Sequence, residues 1–279
     1  MDLIIPVFNR PFYTKACLDS LLVTRHGVKI RPVVIDNGSR RKTAQVIDEW
    51  ASRAKSPELD EPVIIYLPDN LGFAGGINHW LREAKPAPYV MLMHNDVIPF
   101  RGWAVEMLAC LSDLDDKVVG IMPRTTYANE QSVCIPAVRE RFERIKPTNK
   151  EIIPEQDILG LVERTFPEGR DSFVDSLAKA EPRCREHGEM SSYCLLLRSG
   201  FFDKYGLFDE DFWPRGYEDK AWFHPMWKDG LQVWMAERAF VHHFGNITSD
   251  GPGFCFPDIM RTNEEKFYRK MLYPEQKGT

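Results

Sequence analysis

Apolar and polar positions along the first half of the chain fall into two alternating patterns. The short runs LIIPV (3–7), PVVID (32–36), VIIYL (63–67), YVMLM (89–93) and VVGIM (118–122) are apolar almost throughout. Continuous runs of this length suit strands covered on both faces. Between them lie longer stretches with apolar residues at helical spacing: Leu18, Leu21 and Leu22 form one stripe, Val46, Ile47 and Trp50 another. A strand-helix-strand progression of this kind predicts an α/β fold, a mostly parallel sheet flanked by helices. Ligands in such sheets bind beyond the carboxyl ends of the strands.

Polar residues collect at those ends. The first strand runs into Asn9 and Arg10, the second into DNGS (36–39), the third into PDNLGFAGG (68–76) and the fourth into HND (94–96). Asp36, Asn37, Asn95 and Asp96 each have an ordinary reading as turn formers. Their coincidence on one sheet edge favours a shared cleft. In NLGFAGGINHWL (70–81), Gly72, Gly75 and Gly76 precede an apolar, helix-like run. Glycines there allow positive φ and let another group approach the backbone closely, which suits either a ligand-bearing turn or a tight packing turn.

Composition narrows the function classes. With 279 residues, 43% of them hydrophobic, the chain can bury a sizeable core. The formal net charge of -5 gives no global basic field for nucleic acid or anionic membrane. No apolar run approaches the roughly 20 residues that cross a bilayer. The opening MDLIIPVFNR has an early acid and Pro6 where a signal peptide would have a basic then apolar stretch, so a cytoplasmic location is expected. Six cysteines without C-x-x-C spacing indicate neither a disulfide framework nor a zinc ribbon.

The ordered series IIPVFNR, VVIDNGS, NLGFAGGIN and MLMHNDV resembles the nucleotide-sugar-binding half of family-two glycosyltransferases with the GT-A fold. SSYCLLLRSGFFDKYGLFDEDFW, GYEDKAWF and VHHFGNIT resemble the acceptor half of rhamnosyl- and galactofuranosyl-transferase-like members. The resemblance implies a Rossmann-like sheet with a mixed acceptor-side half. It divides one continuous domain into a nucleotide-sugar-binding half (1–124), a charged insertion or lid (125–187) and an acceptor-binding, catalytic half (188–279).

It also implies roles. A departing diphosphate builds negative charge that a divalent cation, manganese or magnesium, can neutralise. Asp96 matches the terminal acid of the family's D-x-D or N-[ND]-D element, while His94 departs from it and tilts the metal towards manganese. Asp36 would accept the imide N–H of uracil or thymine, so a UDP or dTDP sugar is favoured. Pro6, Val7, Asn9, Arg10, Asn37 and Asn95 would border the nucleotide sugar, Gly72, Gly75 and Gly76 would pass close to ribose and diphosphate, and Asn78 would add a polar contact. Asp219 is the expected general base and Glu218 an acceptor contact or orienting group, against the plainer reading of both as first-turn acids. Trp213 and Tyr217 offer flat surfaces to an acceptor sugar. His242 and His243 match a late metal or diphosphate element. Neighbours in a strand face opposite ways, so only one should reach the site. Parity alone does not choose, and His243 is favoured.

The reaction this implies is inverting, metal-dependent transfer from a nucleoside-diphosphate sugar to a hydroxyl of a glycan or similar acceptor. Two alternatives stand beside it: transfer to a hydroxylated nucleic-acid base, and a non-catalytic nucleotide-sugar- or glycan-binding protein. A sugar nucleotidyltransferase would carry a G-x-G-x-R loop where PVFNR stands. Nucleic acid is the less expected partner, because Glu140 and Glu143 interleave with the local basic cluster of Arg139, Arg141, Arg144 and Lys146.

Overall fold

The computed structural model describes residues 1–128, 131–146, 158–245 and 256–272. Its first half follows the sequence pattern closely. Strands β1 (Asp2–Val7), β2 (Arg31–Asn37), β3 (Val63–Leu67) and β4 (Tyr89–Met93) alternate with helices α1 (Pro11–Val23), α2 (Arg41–Arg53) and α3 (Gly72–Glu83). These strands pair in parallel in the order β3-β2-β1-β4, with β1 and most of β2 and β4 buried. At the start of β1, Asp2 takes the Arg31 guanidinium at 2.7 and 2.8 Å and the Ala87 N–H at 3.0 Å. That clasp joins three successive segments of the parallel layer.

Beyond β4 the sheet becomes mixed. The following elements are β5 (Val97–Pro99), α4 (Trp103–Asp113), β6 (Val118–Thr125), α5 (Pro136–Ile145), α6 (Ile158–Thr165), α7 (Arg170–Leu177), β7 (Cys184–His187), β8 (Cys194–Arg198), α8 (Gly200–Tyr205), α9 (Glu218–Lys228), β9 (Gln232–His243) and α10 (Phe256–Phe267). The sheet continues β4-β8-β6-β9-β5, with β7 also on β9. The run at 118–122 therefore is not the next parallel neighbour of β4. The antiparallel β8 lies between them, because Cys194, Leu195, Leu196 and Leu197 are fully buried and need a strand on each side. The result is an α/β fold of GT-A type with a parallel first half and a mixed second half.

A second, largely aromatic core lies on the far side of β5 and β9. Phe100 and Phe240 from the sheet meet Phe142 of α5, Phe166 and Phe173, with centroids 4.8 Å apart for Phe100–Phe166, Phe166–Phe173 and Phe173–Phe240. Thus the described helices of the middle segment pack as a layer on the sheet. The stretch 147–157 of that segment lies outside the described residues. The charged run at 262–272 forms the end of α10 and one π turn (Tyr268–Leu272), with Phe267 against Tyr217 at 5.5 Å.

Phe166 is 1% exposed at the centre of the second core. Phe166→Ala should lower stability by about 3–5 kcal/mol, read as a fall in denaturant midpoint at constant slope.

Candidate active site

Three side chains converge where β4, β5 and β9 meet. Asp96 sits in the tight turn between β4 and β5 and is 2% exposed. The β5–β9 ladder pairs Val97 with His243, which brings His243 Nε2 to 3.3 Å from Asp96 Oδ1. His94 Nδ1 lies 4.0 Å from the same oxygen, and the two imidazoles stand edge to face at 5.3 Å. Ligand atoms of all three fall within 4.8 Å of one another.

The tautomer of His243 follows from its other nitrogen. Nδ1 lies 2.7 Å from the Tyr127 carbonyl oxygen, which can only accept, so Nδ1 carries the hydrogen. In the neutral ring Nε2 then presents a lone pair to a carboxylate oxygen. Neither Asp96 Oδ1 nor His243 Nε2 has a hydrogen-bond partner among the described residues. Two facing lone pairs in a buried site need a cation between or beside them. Burial alone would raise the Asp96 carboxyl, but positive charge facing it, a proton on His243 Nε2 first and the Arg215 guanidinium after it, would bring it below the usual carboxylate range. Burial, helped by His243 and Arg215, keeps His94 well below its ordinary value and so neutral, with a lone pair to give. One carboxylate and two imidazoles fit a divalent transition metal better than an all-oxygen site would.

His242, its neighbour in β9, turns the other way. Its Nδ1 is 2.8 Å from Thr126 Oγ1, and its ring meets Phe244 at 4.5 Å and Phe142 at 4.9 Å. Burial in this aromatic core lowers it to about 3. It belongs to the second core and is not one of the converging donors.

At the donor-side edge several expected contacts prove to hold the protein to itself. Asn37 spends both ends of its amide on the glycine loop, donating to the Gly72 carbonyl at 2.8 Å and accepting from Leu71 N–H at 2.9 Å. Asn78 lies inside α3, fully buried. It donates to the Phe208 carbonyl and to Glu210 at 2.8 Å each, and accepts from Phe208 N–H at 3.1 Å. Asn78 faces neither the recess nor the cleft. Gly72, at φ +77°, opens α3, and a Cβ there would lie 2.8 Å from the Trp213 ring and 2.9 Å from the Pro214 carbonyl. A Cβ on Gly75 would meet Leu71 at 2.8 Å and one on Gly76 would meet Asn37 at 3.2 Å. Gly72 admits the chain's own 213–214 segment, and Gly75 and Gly76 make room for Leu71 and Asn37, where the resemblance implied ribose and diphosphate.

Other donor-side residues do border open space. Pro6, Val7, Asn37 and Asn95 line a small recess roofed by Pro214 and Arg215, and Ile259 of α10 reaches it too. Asn95 donates to Thr14 Oγ1 at 2.9 Å. Asp36 is 3% exposed at the end of β2, one oxygen accepting from Ser39 N–H at 2.8 Å. Asn9 and Arg10 both adopt φ 57°, and Asn9 Oδ1 accepts from Arg40 N–H, tying the ends of β1 and β2 together.

The acidic pair enters from α9. Asp219 accepts from Ser192 N–H at 3.0 Å and Lys220 N–H at 2.8 Å, which fixes its carboxylate. Glu218 is 4% exposed, and its Oε2 has no hydrogen-bond partner among the described residues. Burial and the adjacent Asp219 push its carboxyl up to about 8. Tyr217, just ahead of the pair, holds φ 74° and donates to Glu264 Oε1 at 2.8 Å. Trp213 is half exposed on the rim, its indole N–H on the Asn70 carbonyl at 3.1 Å. His94, His243, Arg215, Tyr217, Glu218 and Asp219 line one open cleft of about 1010 Å³. No sequence motif marks Arg215, and the motif comparison has His94 as a departure that tilts the metal towards manganese without naming it a ligand.

The sequence model of glycosyl transferase family 2 matches residues 2–150, just over half of the chain. The chain belongs to glycosyl transferase family 2. No curated protein sequence matches it. Among solved structures, this family 2 chain is similar to GalNAc-T7 with UDP, GalNAc and Mn2+, at TM-score 0.62 and 13% identity over 96% of this chain and 47% of that one. It is also similar to mannosyltransferase PcManGT from Pyrobaculum calidifontis in complex with GDP-Man and Mn2+, at TM-score 0.53 and 15% identity over 91% of this chain and 58% of that one. A structure of TarS from S. aureus aligns at TM-score 0.51 and 14% identity over 94% of this chain and 63% of that one. The chain thus spans about half to three fifths of those proteins, and the likeness is one of fold. No helix among the described residues is long and apolar enough to cross a membrane.

The raised Glu218 carboxyl makes stability depend on pH. Between its ordinary 4.5 and about 8 the folded chain keeps a proton that the unfolded chain has released, so stability falls as pH rises through that window. Glu218→Gln removes this loss. Its advantage over wild type in denaturant midpoint should grow from about pH 5 to about pH 8, on the order of a few kcal/mol at most.

Proposed function

We propose that this family 2 protein is an inverting, metal-dependent glycosyltransferase that moves a sugar from a nucleoside diphosphate, UDP or dTDP favoured, to a hydroxyl of a glycan acceptor. The observation that carries the reading is the sharing of one cleft by a metal-type donor set, His94 and His243 beside Asp96, and an acidic pair, Glu218 and Asp219. Transfer from a sugar nucleotide needs both: positive charge where the diphosphate leaves, and a base where the hydroxyl attacks.

A divalent cation held by His94, Asp96 and His243 would neutralise charge on the departing diphosphate. The chain's own residues do the rest. Asp36, at the end of β2, offers a carboxylate oxygen to the imide N–H of the base, and Asn95 with Pro6 and Val7 borders the nucleoside. Arg215, lining both the recess and the cleft, adds a fixed positive charge between them. Tyr217 gives the acceptor ring a flat wall. Asp219 takes the acceptor proton as the hydroxyl oxygen bonds to the anomeric carbon, while the bond to the diphosphate breaks on the opposite face. Glu218, held protonated near neutral pH, orients the acceptor by donating a hydrogen bond. The Trp213 indole, packed over Gly72, serves the donor rim better than the acceptor.

A panel of nucleoside-diphosphate sugars, assayed for released nucleoside diphosphate with glycan acceptors, tests the reading. Turnover should appear with one donor, and Asp219→Asn should lower kcat roughly 10²-fold or more while donor KM is kept. Affinity without turnover across the panel would make the protein a binding module. A crippled Glu218→Gln beside a near-normal Asp219→Asn would reverse the two roles.

A further inference from the structure

The turn that presents the acidic pair has a backbone it would not adopt unaided. Gly216 stands at φ 95° and Tyr217 at φ 74°. Positive φ is ordinary for glycine but strained for a bulky aromatic, and such strain persists only where the surroundings over-determine it. Here the surroundings are one face of α10. The side-chain amide nitrogen of Asn263, 1% exposed, donates to three carbonyls of the turn, those of Phe212 at 2.9 Å, Arg215 at 3.0 Å and Gly216 at 3.1 Å. One turn of helix earlier, Met260 Sδ lies 2.7 Å from where a Cβ on Gly216 would stand. On the following residue, Glu264 accepts from the Tyr217 hydroxyl at 2.8 Å.

A single NH2 group whose two hydrogens, one of them shared, serve three carbonyls of one turn is a specific arrangement. Those carbonyls all point to one spot only if the turn keeps its present shape, and the shape sets where α9 begins and therefore where Glu218 and Asp219 stand. Neither near-isostere delivers it: aspartate has only acceptors at that position, and leucine of similar shape has neither donor nor acceptor. Lost, the amide would leave three carbonyls to find other partners, and the strained Tyr217 would have a reason to relax.

We propose that Asn263 is a positioning residue of the transfer reaction: its amide locks the 212–217 turn, and through it α10 sets the place of Glu218 and Asp219 in the cleft. This rests on the reading of that acidic pair as the catalytic acids. Asn263 bonds the backbone of the turn, at Phe212, Arg215 and Gly216, and not the side chains that line the cleft. Its loss should therefore appear in the chemical step and leave donor and metal binding alone.

The test uses the full chain with Asn263→Leu and, as a milder variant that removes only the Tyr217 partner, Glu264→Ala. Two readouts are taken on each: steady-state transfer kinetics, and amide hydrogen exchange over residues 212–221. Asn263→Leu should lower kcat by about 10-fold or more with donor KM within about twofold of wild type. Exchange of the Tyr217–Ala221 amides should quicken while that of β1–β4 is unchanged. Glu264→Ala should show the same split, smaller in size. Wild-type kcat and wild-type exchange in both variants would overturn the proposal. So would a rise in donor KM equal to any loss in kcat/KM, which would place Asn263 in donor binding. If Asn263→Leu does not fold, Glu264→Ala decides by the same two readouts. If the wild type turns over no donor, the functional reading fails, and the exchange of the turn still decides whether Asn263 holds it.

Discussion

A buried carboxylate facing the second nitrogen of an imidazole whose first nitrogen is spent on a backbone carbonyl is the constraint on which this structure turns. Asp96 and His243 are each almost wholly buried, and a charge removed from water costs several kcal/mol unless another charge or a set of donors meets it. The Tyr127 carbonyl takes the one hydrogen that a neutral His243 has, on the wrong side for Asp96. Something positive must complete the pair, either a proton on Nε2 or a metal ion bound there. With neutral His94 added at the same point, the metal is the better match to the donors.

That arrangement depends on β9 keeping its register. Side chains alternate along a strand, so a slip of one residue would exchange His243 for His242. The β5 ladder fixes Val97 against His243 and Ile98 against His242, and the aromatic layer of α5, α6 and α7 takes His242 into its interior. The middle segment thus has a direct and an indirect part in the site: its Tyr127 carbonyl holds His243 Nδ1, and its phenylalanines define which histidine faces the carboxylate. On the opposite wall, α10 grips the turn ahead of Glu218. The cleft lies between two pieces of sequence that carry no recognisable motif.

The parallel half was legible because strands buried on both faces leave a local, continuous apolar signature, and because polar residues at their carboxyl ends mark the edge where ligands bind. The place of β8 was not legible. Its CLLLR run reads as a strand, but which strands flank it depends on pairings between segments far apart in the chain. The glycine cluster shows a different limit. Gly72 does need a positive φ and a close approach, yet the approaching groups are Trp213 and Pro214, and a sequence states that space is required without stating what fills it. Asn37 and Asn78 follow the same rule, since an amide that can hold a ligand can equally hold a neighbouring loop. His94 and Arg215 gain meaning only when the fold brings them beside Asp96.

Because a proton and a metal ion would each relieve the Asp96–His243 confrontation, titration of the wild-type chain with Mn2+, followed by the loss of the free-ion electron paramagnetic resonance signal, separates them. The account predicts one tightly held Mn2+ per chain at neutral pH, lost in Asp96→Asn and in His243→Ala but kept in His242→Ala. Absence of binding by the folded wild type, or binding that survives loss of Asp96, would contradict it.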